Sequence, residues 1–152
     1  MDNQNQHNLS AMMADFENAC RRAELKLTHQ RLEIYRELAL ADDHPSAEMV
    51  YNRVIVRLST ISLDTVYRTL ATLEKHGLIT RVQTLDSQAR FEAKMIRHHH
   101  AVCRNCGKIT DFIWDSFDEA LVPNEVSGWG EVVKRNAILE GICRGCSGKI
   151  GR

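Results

Sequence analysis

The chain has 152 residues, 43% of them hydrophobic, and its 20 Lys+Arg balance 20 Asp+Glu. This length and composition predict a globular, soluble protein of one ordinary or two small domains, and the balanced charge gives no global positive field for a nucleic-acid partner. The longest apolar runs are too short to span a membrane, and "MDNQNQHNLS" has neither the basic nor the apolar region of a signal peptide, so the expected compartment is the cytoplasm without a membrane partner.

Apolar residues recur at helical spacing in four segments of the first half of the chain. Residues 1–10 are polar and expected to be flexible, and the first helix is predicted from Ser10, with Cys20 on its apolar side. "THQRLEIYRELALADD" predicts the second helix. "DHPSAEMVYNRVIVR" predicts the third, with Pro45 at its first position and His44 at its start.

The fourth helix has the clearest limits, since Ser62 can cap its start and Gly77 can end it. After it, "LITRVQTLDSQARFEAKM" predicts two short strands joined by a turn around Leu85–Ser87. Helices followed by a hairpin are typical of a winged helix-turn-helix. We therefore predict an α+β protein with an N-terminal winged-helix domain over residues 1–88.

Residues 89–152 predict a small α/β second domain. A strand is expected in "KITDFIW" and another in "VVKRNAILEGIC". Between them a helix is expected to begin at Ser116, because Ser116 and Glu119 have the spacing of a capping box.

Two C-x-x-C pairs, Cys103/Cys106 and Cys143/Cys146, indicate metal or redox chemistry in a reducing compartment. Each pair can present two thiolates to one ion, and two pairs complete a tetrahedral structural zinc site. The alternative is a dithiol–disulfide switch, although a redox pair does not need a second C-x-x-C. The fifth cysteine, Cys20, is predicted to be a buried, inert thiol.

Three consecutive histidines precede the first cysteine pair in "RHHHAVC". If this segment is extended, His98 and His100 project from one face and His99 from the other, so the first two can bind one ion together. Carboxylate ligands could come from Glu92 and Asp111. Imidazole and carboxylate form a harder site than four thiolates, suited to Fe(II) or Mn(II) as well as Zn(II).

The order of "LTHQRLEIYREL", "HPSAEMVY", "ISLDTVYRTLATLEKHGLI", "RFEAKMIRHHHAVCRNCGKITDF" and "GICRGC" resembles the ferric uptake regulator (Fur) family of bacterial metal-dependent repressors. The resemblance runs from about Phe16 to Cys146. It implies a winged helix, a C-terminal α/β dimerisation domain, and a homodimer that binds a double-stranded DNA operator, expected to be an A·T-rich palindrome, when metal is bound. It implies no enzymatic activity.

The resemblance also implies two metal sites. Four cysteines match the family's structural zinc site: Cys103, Cys106, Cys143 and Cys146. Five residues match its regulatory site, for Fe(II) or Mn(II): His44, Glu92, His98, His100 and Asp111. The regulatory ligands would then connect the DNA-binding domain to the region at and beyond the hinge.

In the family, the helix matching Ser62–His76 enters the major groove. Tyr67 and Arg68 fit its reading positions, where Arg can bond to guanine and Tyr can contact a thymine methyl. The remaining predicted DNA contacts are Ser62 and Thr65 on the same helix, and Lys26 and Arg31 at phosphate or the minor groove. The alternatives are that Tyr67 only packs at the helix edge, and that the basic run is a solvated helix face.

Many iron and zinc sensors of the family have a further metal site, whose ligands would fall at positions 97, 99, 118 and 135. This chain has Arg97, His99, Asp118 and Arg135 there. Two cations in place of ligands would repel a divalent ion, so this site is predicted to be absent. His99 is predicted to face solvent and bind nothing.

Peroxide-sensing members resemble this chain in having aspartate at position 111, whereas Glu92 stands where many of them have aspartate. The resemblance favours a repressor that senses hydrogen peroxide through Fe(II)-catalysed oxidation of His44 or His98. The first alternative is an iron- or manganese-responsive repressor, or less readily a zinc-responsive one, without peroxide sensing. A reading outside the family is a small cytosolic metalloenzyme with a structural zinc.

Overall fold

A computed structural model describes residues 3–84, 88–94 and 96–148. The chain divides into two compact units, Met1–Met95 and Ile96–Arg152. The division into domains 1–88 and 89–152 stays a prediction. The second strand of the hairpin and its Glu92 belong to the first compact unit. None of the helices formed by the described residues is long and apolar enough to cross a membrane.

The N-terminal unit consists of four helices followed by a two-stranded antiparallel sheet, as predicted for a winged helix. The helices are α1 (Asn3–Arg22), α2 (His29–Leu40), α3 (Ala47–Val54) and α4 (Leu63–Lys75). The strands are β1 (Thr80–Val82) and β2 (Arg90–Glu92), paired with Arg81 opposite Phe91. The expected turn at Leu85–Ser87 lies outside the described residues.

Hydroxyl side chains set the starts of three of these helices. Thr28 Oγ1 accepts from the Arg31 amide at 3.2 Å, and Ser62 Oγ accepts from the Thr65 amide at 3.1 Å, as an N-cap does. The fourth helix has the predicted limits, since Ser62 caps it and Gly77 follows it with a φ of 69°, a left-handed conformation that suits glycine.

Two predicted helix starts in the N-terminal unit are wrong. α1 begins at Asn3, earlier than Ser10, so polar composition at residues 3–9 did not prevent a helix. α3 begins at Ala47 rather than Pro45, because the Ser46 hydroxyl accepts from the Met49 amide at 3.3 Å and makes Ser46 the cap. His44 therefore lies in the loop before the helix, not in its first turn.

The core of the N-terminal unit is formed by the inward faces of the four helices, together with Phe91 of β2 and three loop residues, Ile61, Ile79 and Ala93. Phe16 of α1 stacks on Tyr35 of α2 with ring centroids 3.8 Å apart. Cys20 is fully buried in this core, as predicted for an inert thiol, and burial raises the pKa of its thiol. The apolar stripe of α4 faces inward through Val66, Leu70 and Leu73.

The C-terminal unit is built on a three-stranded sheet with the order β4-β3-β5, formed by β3 (His99–Cys103), β4 (Ile109–Phe112) and β5 (Ile138–Gly141). β3 pairs antiparallel with β4 and parallel with β5. Three short helices complete it: α5 (Asp115–Glu119), α6 (Asn124–Ser127) and α7 (Arg144–Ser147). Together with the helical N-terminal unit, this sheet confirms the predicted α+β class.

The capping box expected at Ser116 does not form. α5 begins one residue earlier, at Asp115, with Trp114 in the cap position and without a side-chain cap hydrogen bond. Ser116 is already inside the helix, where its hydroxyl cannot serve the first turn as a cap does.

Candidate functional site

The four cysteines of the two C-x-x-C pairs meet at one end of the three-stranded sheet. Cys103 ends β3, and its register partner in the parallel strand β5 is Gly141. Because the paired strands end side by side, the turn after each strand carries one cysteine pair to the same place. Gly107 closes the first turn with a φ of 72°, and its amide donates to the Cys103 carbonyl at 2.9 Å.

The spacing of these sulfur atoms fits a zinc ion. The four Sγ atoms lie within 4.8 Å of one another, and those of Cys106 and Cys143 are 3.7 Å apart. A tetrahedral ion with zinc–sulfur bonds of about 2.3 Å places its ligand sulfurs about 3.8 Å apart. All four cysteines are free thiols in the structure.

The pKa values of the clustered thiols also indicate a site for a cation. The Cys143 amide donates to Cys103 Sγ at 3.3 Å, and this bond leads the causes that lower the pKa of Cys103 to about 6. The Lys108 amide favours the Cys106 thiolate as well, but the thiols of Cys103 and Cys146 outweigh it and raise the pKa of Cys106 to about 11. Four thiols so close together do not all ionise near neutral pH unless a cation binds them.

Three predicted regulatory ligands converge in the C-terminal unit. His100 of β3 lies directly opposite Asp111 of β4 in the antiparallel register, and their Nε2 and Oδ1 atoms are 3.7 Å apart. His98 lies on the same face, with its Nε2 3.1 Å from His100 Nε2 and 3.9 Å from Asp111 Oδ1. Two ring nitrogens and a carboxylate oxygen thus face one point, as the alternation along an extended segment predicts.

The other two predicted ligands lie together in the N-terminal unit. The Phe91 amide donates to the Pro45 carbonyl at 3.0 Å, which brings the neighbouring residues His44 and Glu92 side by side. His44 Nε2 is 3.2 Å from Glu92 Oε2, and both side chains are buried. His44 has a φ of 50°, a left-handed conformation that costs a non-glycine residue about 1 kcal/mol and that is common at functional sites.

His99 does not face solvent, which corrects the sequence-based prediction. Its side chain is 0% exposed and packs against the rings of Phe112 and Phe117. The Ala137 amide donates to His99 Nδ1 at 3.1 Å, so the ring proton is on Nε2, which faces Asp118 Oδ2 at 3.3 Å. The face opposite His98 and His100 is thus the interior of this unit, closed by α5.

The two arginines at the neighbouring positions are bound to protein groups. Arg97 Nε lies 2.8 Å from Asp118 Oδ1, and Arg135 Nη1 donates to the Phe117 carbonyl at 3.3 Å. Arg135 also donates to the Ala120 carbonyl, at the end of α5. These contacts connect α5 to the segments that precede β3 and β5, by charge and by hydrogen bonding.

The outer face of α4 is exposed, as a DNA-reading helix requires. Tyr67 is 46% exposed, and the side chain of Arg68 is 80% exposed with its Nη1 only 3.6 Å from Asp64 Oδ2. Ser62 and Thr65 bond to each other at 2.9 Å in the cap of this helix. A residue that the sequence analysis missed also touches this face: Glu48 of α3 accepts a hydrogen bond from the Tyr67 hydroxyl.

The two basic residues predicted to contact the DNA backbone differ in exposure. Lys26 is exposed, whereas Arg31 is half-buried and donates from Nη1 to the Lys26 carbonyl. Arg31 therefore also has a structural role at the start of α2. No sequence pattern indicates this contact, since both residues belong to the same basic run.

The sequence profile of the Ferric uptake regulator family matches residues 22–126. That is more than half of the chain, and it includes α4 and most of the predicted metal ligands. The chain belongs to the ferric uptake regulator family. The recognition made from the sequence motifs is thereby confirmed.

This Fur-family chain is 32% identical over 126 residues to the Peroxide operon regulator of Bacillus subtilis, covering 82% of this chain and 86% of the relative. It is 30% identical over 127 residues to the Peroxide-responsive repressor PerR of Staphylococcus epidermidis, covering 83% and 84%. The solved Fur structure of Helicobacter pylori, described as having three functional metal-binding sites, superposes with a TM-score of 0.74 at 26% identity, covering 91% of this chain and 93% of that one.

Repressors of this family respond to metals, bind DNA and act as dimers, and its members are transcriptional regulators. The side chains that come together confirm the predicted metals, zinc and iron or manganese. Four thiolates are the ligands of structural zinc, and the imidazole and carboxylate groups are ligands that suit iron or manganese.

Replacing Asp118 by alanine in this Fur-family protein is expected to lower the free energy of unfolding of the C-terminal unit by about 1–3 kcal/mol, because the buried His99 ring and the Arg97 guanidinium both lose the carboxylate that faces them. Replacing Arg97, whose side chain is 51% exposed, is the matched control and should cost less than about 1 kcal/mol. Urea unfolding followed by tryptophan fluorescence measures both. Equal costs would show that His99 does not depend on Asp118.

Proposed function

We propose that this Fur-family repressor senses hydrogen peroxide through Fe(II) bound to a histidine and carboxylate site. The observation that carries the proposal is the convergence of His98, His100 and Asp111 on one face of the sheet, with aspartate as the carboxylate. Two relatives at about 30% identity are named for their response to peroxide, which supports the same assignment.

We assign five ligands to this regulatory ion: His44 and Glu92 from the N-terminal unit, and His98, His100 and Asp111 from the C-terminal unit. An ion held by residues of both units would favour the arrangement of the dimer in which all its ligands meet. Metal binding would then shift the population toward the state that binds DNA, to an extent set by how much more tightly the metal binds that state than the other. The four cysteines hold zinc and keep in place β3, which contains His100 and directly follows His98.

Fe(II), if held by these residues, would supply the electrons that start cleavage of the peroxide oxygen–oxygen bond. In the balanced reaction one peroxide oxygen goes to an imidazole and the other leaves as water. The chain supplies the target, because the imidazoles of His44 and His98 are ligands and so lie next to that chemistry. An oxygen atom added to either ring weakens its donation to metal. The oxidised histidine no longer serves as a ligand, so the affinity for the metal falls. The DNA-binding state is then no longer favoured, and repression ends after one oxidation for each chain.

The test is mass spectrometry of Fe(II)-loaded protein after mild peroxide treatment. Tryptic peptide 98–104 carries His98 without a methionine, and fragment ions should place one added oxygen on His98 rather than on buried His99. Peptide 37–53 carries both His44 and Met49, so its fragment ions must separate the two. Protein loaded with Mn(II) is the control and should gain no oxygen on histidine.

Absence of added oxygen on His44 and His98 would contradict peroxide sensing by this route. The alternative within the family is a repressor that responds to iron or manganese, or to zinc, without oxidation. Glu92 favours it, because that position differs from many peroxide sensors. Under this alternative, peroxide leaves DNA binding by the Mn(II) and Fe(II) forms equally intact. The metalloenzyme reading has no support from the relatives above, which are regulators.

We also propose that α4 reads the major groove of an A·T-rich palindromic operator in the cytoplasm. Its exposed Tyr67 and Arg68 would contact base edges, Ser62 and Thr65 would lie at the helix start near the backbone, and Lys26 with Arg31 would contact phosphate or the minor groove. A dimer places two such helices on the two halves of a palindrome. Gel shifts with duplexes selected from a random library by the Mn(II)-loaded protein would define the operator.

A further inference from the structure

A carboxylate lies on the surface proposed to face DNA. Glu48 belongs to the first turn of α3, and its Oε1 accepts the hydrogen bond of the Tyr67 hydroxyl on α4. Tyr67 is nearly half exposed, and Glu48 is half-buried. A negative charge at such a place repels phosphate and lowers general DNA affinity, so its presence there needs another role.

The position of Glu48 is fixed from its own helix. The Ser46 hydroxyl caps α3, and Glu48 in the first turn also benefits from the positive end of the helix dipole. The hydrogen bond from Tyr67 leads the causes that hold the pKa of Glu48 below its usual range, and it raises the pKa of Tyr67. At neutral pH the acceptor is therefore an ionised carboxylate and the donor a protonated phenol.

This bond restricts what the tyrosine can do. An exposed tyrosine samples several side-chain conformations, and binding must otherwise freeze one of them at a cost in entropy. With its hydroxyl held by Glu48, the ring is confined to one orientation before DNA arrives. Its hydroxyl is also occupied, which leaves the apolar edge and face of the ring for contact with a thymine methyl.

We propose that Glu48 is a positioning residue that fixes Tyr67 on the reading helix and thereby sets a preference for thymine at one position of each half-site. The inference rests on the proposed DNA-reading role of α4. It makes Glu48 a determinant of sequence preference that touches no base itself.

The experiment uses full-length, Mn(II)-loaded protein and a duplex selected by the wild type from a random library. A second duplex has the same sequence with each thymine replaced by uracil, one position at a time, which removes only a methyl group. Wild type should bind the duplex about fourfold more weakly when uracil replaces the thymine that Tyr67 contacts, because one buried methyl group is lost. Glu48→Ala should lose this discrimination and bind the selected duplex about two- to fivefold more weakly per half-site.

Two further variants separate positioning from charge. Glu48→Gln keeps an acceptor oxygen without the negative charge, so it should retain the thymine preference. Tyr67→Phe lacks the donor, and adding Glu48→Ala to it should leave its thymine preference unchanged, because the two side chains set this preference as one unit. Manganese binding should be unchanged in all of them, which excludes a general loss of structure.

The contrary results are equally specific. If Glu48→Ala and Glu48→Gln both bind every duplex more tightly with thymine preference intact, Glu48 acts only by repulsion and the positioning role is wrong. Fully additive effects of Glu48→Ala and Tyr67→Phe on the thymine preference would also overturn it. If the wild type selects no sequence at all, the proposed DNA-reading function fails, and this assignment fails with it.

Discussion

Replacing Cys143 by serine is expected to unfold the C-terminal unit at ordinary temperature. A serine hydroxyl is not a zinc ligand near neutral pH, and structural zinc contributes on the order of 10 kcal/mol to the folding of small domains. Both tryptophans of the chain, Trp114 and Trp129, belong to this unit, so their fluorescence reports its unfolding alone. Far-UV circular dichroism should change less, since the four long helices lie in the N-terminal unit.

Cys20→Ala is the matched control, because it removes the one cysteine outside the cluster. It should keep its zinc content and lower the free energy of unfolding of the N-terminal unit by about 1 kcal/mol. Zinc retained by Cys143→Ser, with unchanged tryptophan fluorescence, would show that the four cysteines do not form the structural site.

The second large effect is expected from Glu92→Gln, which keeps the shape of the side chain and removes its charge. Glu92 is buried beside His44, and a neutral amide is a poor ligand for a divalent ion in such a place. The gain in DNA affinity on adding Mn(II), typically about 5- to 150-fold for coupled sites, should be lost, while metal-free DNA binding stays the same. Fluorescence anisotropy with a labelled duplex, with and without Mn(II), measures both.

His76→Ala provides the control, since His76 ends α4 in the same unit and is exposed. It should leave the response to Mn(II) unchanged. The zinc content of Glu92→Gln should also remain at the wild-type level, because the two ligand sets use different residues. A full response to Mn(II) in Glu92→Gln would remove Glu92 from the regulatory site.

The sequence predicts this fold well where the spacing of apolar residues agrees with the residues that start and end a helix. Ser62, Gly77 and the apolar stripe of α4 are local signals, and the helix has the limits that they indicate. The cysteine pairs and the alternation of His98 and His100 are equally local, which is why their groupings are found by spacing alone. His44 has no such signal, since a hydrogen bond between distant backbone segments brings it to Glu92.

The failures have a common physical cause in tertiary context. The alternation of side chains along the strand correctly separates His99 from His98 and His100. It cannot show that α5 covers the face of the strand on which His99 lies and brings Asp118 close to its ring. The capping box at Ser116 fails because Trp114 takes the cap position. Glu48 and Tyr67 are too far apart in sequence for any pattern to pair them, and only the packing of α3 against α4 does so.

The parallel pairing of β3 with β5 has a consequence for the kinetics of folding. Cys103 and its partner Gly141 are separated by more than half of the C-terminal unit, so the sheet cannot be completed until the last of its strands has been synthesised. Non-local pairing of this kind is slow, because loop closure costs entropy before any contact rewards it. An ion already held by Cys103 and Cys106 would shorten the search for Cys143 and Cys146, so zinc supply would set how quickly newly made chains mature as well as how stable they are.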